Sequence, residues 1–292
     1  MDVLVQIIAS GLTLGAMYAI STIGLALVYG SLNILNMSHG AILALGGYIC
    51  YYAMTSLGLS PVVGVAAAMA VCGVVGLAIY HFVAGPMLSS RNFETKVFIA
   101  TIGIGAILEN IIMRVFGPQP VAQPFKLSGA LIIGKVYIPY QNILILAVAV
   151  VLMAALAYVL NRTRMGRAIR ATAQNRDAAQ LMGVRVGKTY AQVLAISGGL
   201  AAVSGIMISS LSGLLPNMGG DPMLKAFVIC VVAGLGNVYG AVAAAIVLGL
   251  LESTIQYVVG VQYSFAILLV LVIVVLIWRP AGLFGRNQVV RL

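Results

Sequence analysis

Charge is the scarcest commodity in this chain. Only 8% of its 292 residues are Asp, Glu, Lys or Arg, and just six are acids. A soluble domain carries about 25%. So few ions cannot wet the surface of a soluble fold of this length, which excludes a soluble enzyme or scaffold. No polar stretch is long enough to form a separate soluble domain. Cysteine is sparse too. Cys50, Cys72 and Cys230 all lie inside apolar runs, with the spacing of neither a zinc site nor a redox pair. The GxxxxGK(S/T) phosphate loop is absent, so any ATP hydrolysis must come from another subunit. No nucleophile–base constellation stands out.

What the chain does have is apolar sequence, 62% of it, with a mean hydropathy of +1.11. Apolar segments fall at 4–30, 33–56, 61–85, 97–116, 141–160, 190–215, 223–257 and 261–278. Most match the roughly 20 residues that a helix needs to cross a bilayer. Backbone polar groups in lipid must bond within the segment, so these are helices. The short alternating segments of a β-barrel are missing. The first run has no basic leader and reads as a retained span. Small residues recur at spacing four in three ridges: Gly64, Ala68, Cys72 and Gly76; Ser197, Ala201 and Gly205; Ala241, Ala245 and Gly249. Gly11 and Gly15 make a further pair. Such ridges let helix backbones approach closely in lipid. The expected fold is an all-α integral membrane protein, a single transmembrane domain over 1–292.

The net charge of +10 does not point to nucleic acid, because the bases cluster in loops between apolar runs. Membrane proteins keep such loops in the cytoplasm. Loop 161–189 is the strongest case, with Arg162, Arg164, Arg167, Arg170, Arg176, Arg185 and Lys188 against Asp177 alone. Arg91 and Lys96 belong on the same side, and 117–140, with only Lys126 and Lys135, on the other. The N-terminus is then outside. Eight simple crossings would put the C-terminus outside as well, against Arg279, Arg286 and Arg291. The conflict resolves if 223–257, too long for one span, is broken at Gly234-Leu235-Gly236-Asn237. A polytopic bundle of about eight or nine crossings follows, with at least one broken or re-entrant helix. The glycine-broken runs 34–48 and 228–249 read equally as a diverged repeat or as chance similarity.

Several positions are candidates for chemistry. Asn36, Ser38, His39 and Gly40 lie between two apolar runs with no charge to mark a wide loop. Asn36 or Ser38 can cap a helix running through Gly40. Its N-terminus would then offer amides to an anionic group in mid-membrane. An ordinary tight turn fits as well. His39 has no second His or Cys nearby to complete a metal site. Gly234, Gly236 and Asn237 join the same candidate path. Glu109 with Arg114, and Glu252 with Gln256 one turn on, put acids inside spans, where acids are functional or paired. A structural pairing that orients the helix is the reading adopted. Two such acids supply no proton relay. In the basic loop, Asn175 suits an N-cap, Asp177 a first turn and Gly183 a C-cap. The short helix between them would expose Leu181 and Met182. It either inserts into a partner's groove or folds back on the bundle.

Asp177-Ala178-Ala179 followed by Gly183 resembles the EAA-x3-G loop of bacterial ABC importer permeases, with Asp in place of Glu. The run from Arg164 to Gly183 resembles the branched-chain amino-acid permeases of the Liv type. So do Tyr29-Gly30 with Asn36–Gly40, Lys225–Val228 with Gly234–Asn237, and Arg279–Gly285. The resemblance covers nearly the whole chain, and its length is that of the LivH-type subunit.

The resemblance implies a multi-pass inner-membrane permease that is itself no enzyme. It implies a second, homologous permease, two ATPase subunits that hold ATP and Mg, and a periplasmic amino-acid-binding protein. Arg170, Asn175, Asp177, Ala178, Ala179, Leu181, Met182 and Gly183 would then form the coupling surface. The neighbouring arginines suit either the ATPase or membrane lipid. A bulky residue at Gly183, or Ala179→Arg, is expected to uncouple transport without unfolding the bundle. A urea- or amide-type ABC permease is the nearest alternative, and an ion-coupled secondary transporter is the alternative from another class.

Overall fold

The computed structural model describes residues 2–88, 90–133 and 136–285. The apolar runs are helices, as lipid requires. In chain order they are α1 (Asp2–Leu32), α2 (His39–Thr55) and α3, which runs over Pro61–Ile79 and on through a π turn at Tyr80–Ala84 and a last turn at Gly85–Met87. Next come α4 (Phe93–Phe116), a hairpin of β1 (Ala130–Ile133) and β2 (Val136–Pro139), and α5 (Tyr140–Arg162). Two surface helices, α6 (Arg164–Gln174) and α7 (Arg176–Leu181), lead to α8 (Val186–Ser212). The chain closes with α9 (Gly220–Ala233), α10 (Val238–Val258) and α11 (Val261–Trp278). The antiparallel hairpin, in register Ala130 to Pro139, was not foreseen in a segment read as plain loop.

Seven of these helices are long and apolar enough to span a membrane. The other two long-run helices are short: α2 has 17 residues and α9 has 14. At 1.5 Å per residue they reach only about 25 and 21 Å. Each is led in by an irregular stretch, 33–38 and 213–219, and each starts inside the bundle. His39 Nε2 lies 3.0 Å from the carbonyl of Ser21, well inside α1. Cys72, midway along α3, reaches the carbonyl of Ile42 at 3.5 Å. The two starts touch, for a Cβ added to Gly219 would fall 2.0 Å from the Gly40 carbonyl oxygen. With their lead-ins the two short helices bring the passages to nine among the described residues. The long run is divided between Ala233 and Val238, where the break was expected. The chain start and Trp278 therefore lie at opposite ends. Arg279 shares its end with the loop 161–189, while Arg286, Arg291 and Lys135 fall outside the described residues.

The architecture has an inverted symmetry. α1 packs antiparallel on α10, with Gly15 against Gly249 and Gly30 against Gly236. α8 packs antiparallel on α3 in the same way, with Gly198 against Cys72 and Leu194 against Gly76. α1–α4 and α8–α11 are thus two halves of opposite direction, an arrangement many transporters share. The two short helices correspond, α2 to α9. The pair 34–48 and 228–249 is therefore the wrong pairing: 228–249 spans the turn after α9, whereas the counterpart of α2 begins at Gly220. All three small-residue ridges are buried as predicted.

Candidate translocation and coupling sites

The stretch 33–40 was expected to place a capped helix start before a path. Its start is where predicted, but the cap is not. Asn36 Oδ1 accepts from the Ser38 amide at 3.2 Å and the Ser38 hydroxyl at 2.6 Å. Neither side chain caps α2. Asn36 stands too far ahead of the helix, so its oxygen closes a local turn instead. The Met37 amide donates to Thr101 Oγ1 at 3.1 Å, and Gly105 of α4 lies against Ser38. The Ser21 carbonyl can only accept, which places the His39 proton on Nε2. Asn36, Ser38, His39 and Gly40 are all buried. They form a packed junction of α1, α2 and α4 with no surface open to cargo.

Gly234, Gly236 and Asn237 also differ from expectation. They form the turn from α9 to α10 at the basic end, not in mid-bundle. Gly234 and Gly236 hold φ of +94° and +86°, a region that favours glycine. Gly236 packs against Gly30, and Gly234 against Gly282 and Gly285. Asn237 Oδ1 caps α10 by accepting from the Gly240 amide at 2.9 Å, and its Nδ2 donates to the Phe284 carbonyl at 3.1 Å. The amides of Leu283 and Phe284 donate to the last carbonyls of α9, at 2.7 and 3.2 Å. The glycines permit a three-way backbone contact between the end of α1, this turn and residues 281–285.

The intramembrane charges are only partly as expected. Glu109 and Arg114 make no ion pair. Five positions on a helix separate side chains by about 140°. Glu252 is paired, but with a residue the sequence reading missed. Lys225 Nζ lies 2.7 Å from Glu252 Oε1 and 2.8 Å from the Tyr18 hydroxyl. That hydroxyl donates to Glu252 Oε2 at 2.5 Å, and Gln256 adds a bond at 3.3 Å. The Lys225 amine also sits 5.8 Å from the Phe265 ring. Four helices, α1, α9, α10 and α11, meet there. Glu252 is 1% exposed and Lys225 20%. Lys225 and Glu252 are the only charges in 223–257, and that opposite pair in an apolar run was the available signal.

The basic loop folds as read. Thr163 caps α6 through the Gly166 amide at 3.1 Å, and Asn175 caps α7 through the Ala178 amide at 2.9 Å. Gly183, with φ +83°, ends α7. Its amide reaches the Gln180 carbonyl and the Val184 amide the Ala179 carbonyl, both at 3.0 Å, the two bonds of a Schellman motif. Leu181 and Met182 are 88% and 85% exposed, and Asp177 and Ala178 are exposed beside them. The helix does not fold its apolar pair back on the bundle. Two expectations change. Ala179 is buried on the underside of α7, so Ala179→Arg would disrupt the loop itself rather than a docking face. Arg170 Nη1 donates to the carbonyl of Leu160 near the end of α5, where a cation complements the helix dipole. Its guanidinium is engaged within the chain.

Comparison with known proteins completes the site. Residues 7–277 match the family model described as branched-chain amino acid transport system / permease component. The high-affinity branched-chain amino acid transport system permease protein BraD of Pseudomonas aeruginosa is 31% identical, over 97% of this chain and 96% of its own. The corresponding LivH of Escherichia coli K12 is 28% identical, over 96% and 95%. The ribose import permease protein RbsC of the same strain is 28% identical, over 88% and 80%. The chain belongs to the branched-chain amino acid transport system permease family.

Proposed function

We propose that this chain is the LivH-type subunit of an ABC importer, passing branched-chain amino acids across the bacterial inner membrane by alternating access. Two separate ATPase subunits power it, a second homologous permease completes the path, and a periplasmic binding protein delivers cargo. The observation that carries this is α7. It is a capped and glycine-terminated helix at the basic end, with Leu181 and Met182 uncovered. A short helix with an apolar face fits a partner's groove. The basic end is the cytoplasmic one by the positive-inside rule, which is where ATPases reside. The cargo follows from the names of BraD and LivH, and RbsC marks sugar as the rival. Ion coupling is disfavoured because Lys225 already neutralises Glu252, the one acid buried among the described residues.

The test is a gentle detergent pull-down of the tagged chain from its native membrane, with partners identified by mass spectrometry. Phosphate-loop ATPases and a second permease should be recovered. Recovery of the chain alone, under conditions that preserve a control ABC complex, would defeat the proposal. Ligand binding to the associated periplasmic protein then settles amino acid against sugar or urea.

A further inference from the structure

The two halves of the fold make the same broken element twice, and the two copies differ in one respect. The start of α2 is buried on every side, but the start of α9 is not. Asn217 and Asp221 are exposed, and Lys225 is partly so. Asp221 and Lys225 stand one helical turn apart, so they share one face of α9, with Asn217 in the lead-in just ahead of them. Gly219 touches Gly40 in mid-bundle. Asp221 thus lies about 20 Å from the basic-end turn at Gly234 by helical rise, inside a hydrocarbon core about 30 Å thick. Ionisable groups at that depth face a water-filled passage or another protein rather than lipid.

We propose that Asp221 and Lys225 form a binding site for a zwitterion in the translocation path. Asp221 receives the α-ammonium group of an amino acid and Lys225 its α-carboxylate. Asp221 makes no ion pair among the described residues, so its carboxylate is available. Lys225 spends its contacts on Tyr18 and Glu252, and an ammonium has three donors. One N–H remains for a carboxylate on the exposed side. Opposite charges one helical turn apart, about 6 Å between their Cβ atoms, suit the small separation of charges in an α-amino acid. Glu252 is too buried to meet cargo and serves to hold Lys225 in place. This face of α9 is the one turned to the second permease. This inference rests on the amino-acid reading above.

Two measurements test it in the complete complex. First, Asn217→Cys, which leaves both charges in place, should react with a membrane-impermeant charged thiol reagent, and an amino-acid cargo delivered by the binding protein should slow the reaction. The three native cysteines are buried and give a low background. Reaction with a lipid-soluble reagent alone would place this face against lipid and overturn the proposal. Second, Asp221→Asn in proteoliposomes should lower kcat/KM for amino-acid uptake about tenfold or more, with partner subunits co-purifying in full yield. Wild-type uptake of amino acids with equal uptake by Asp221→Asn refutes the site. No amino-acid uptake by the wild type, with uptake of a sugar or urea instead, refutes the cargo reading on which the site depends. Lys225→Gln with Glu252→Gln serves as a second variant that leaves no buried charge unpaired, and it too should lose amino-acid uptake.

Discussion

Replacing Lys225 with Met should destabilise the bundle severely, and adding Glu252→Gln should restore most of the loss. The single change leaves a carboxylate that is 1% exposed with only the Tyr18 hydroxyl and Gln256 to solvate it. Breaking a buried pair by removing one partner costs about 3–5 kcal/mol, whereas replacing both charges is often neutral. In the double variant the amide at position 252 can still accept from Tyr18. The residual loss should be about 1 kcal/mol, that of a weakened hydrogen bond. At about 2 cal/mol/K of unfolding entropy per residue, the single variant should melt about 5–8 °C lower and the double within about 2 °C of wild type. The chain carries its own reporters, since Cys50, Cys72 and Cys230 are free and buried. A dye that fluoresces on reacting with thiols reads their exposure as the detergent-solubilised protein is heated. Equal melting of single and double variants would show that charge compensation is not what the cluster provides.

Three further outcomes follow from the packing and the loop. Gly205→Ala should abolish monodisperse folded protein on size exclusion, because its Cβ would sit 1.8 Å from the Leu43 carbonyl oxygen, whereas Gly103→Ala, with nothing within 4 Å, should elute normally. Leu181→Ser with Met182→Ser should cut ATP-driven uptake about tenfold or more with no change in melting temperature, since both side chains are almost wholly exposed. A lower melting point would mean that they stabilise the chain rather than dock. Gly183→Ala should weaken coupling by straining the left-handed residue by about 1–2 kcal/mol, while Gly183→Asn, which tolerates that conformation better, should retain more uptake. Equal uptake by the two would separate the loop's backbone from its role.

Much of this fold was legible because lipid leaves the backbone few choices. The spans follow from hydropathy, and the break near Gly234 from the charge of the C-terminal segment. What escaped was whatever depends on a partner distant in sequence. Asn36 looked like a cap until Ser38 offered it a nearer bond. Gly234 and Gly236 looked like a mid-membrane interruption, yet Gly30 and the 281–285 segment use them as a backbone seat. Lys225 went unpaired in the sequence because its partners, Tyr18 and Glu252, lie 207 and 27 positions away. Arg170 was expected on the coupling surface, and its acceptor is a carbonyl on the preceding helix, which no local pattern announces. The hairpin at 130–139 had no long apolar signature and was passed over as loop. In the loop 161–189 the caps at Asn175 and Gly183 were legible because their partners are local, Ala178 and Gln180.

The position of α8 explains how an event at the basic end can reach mid-membrane. α7 is joined to α8 by the few residues from Met182 to Arg185, and Ala179 is packed beneath it. α8 is the most enclosed of the spanning helices. Its Leu194 and Gly198 lie against α3, its Ser197 hydroxyl donates to the Gly24 carbonyl of α1 at 2.9 Å, and Ala202 and Gly205 meet Gly46 and Leu43 of α2. At four of these contacts a Cβ would fall within 2.3 Å of a neighbouring backbone atom: Gly76 with Leu194, Gly198 with Cys72, Gly46 with Ala202, and Gly205 with Leu43. Contacts that close cannot absorb a shift by rearranging side chains, because close-packed interiors transmit strain. A displacement applied at α7 must therefore carry α8 as a rod and take the α2 junction with it. The junction meets the second broken element where Gly40 packs against the Gly219 carbonyl and the Met223 side chain, so the same displacement is passed on to the start of α9.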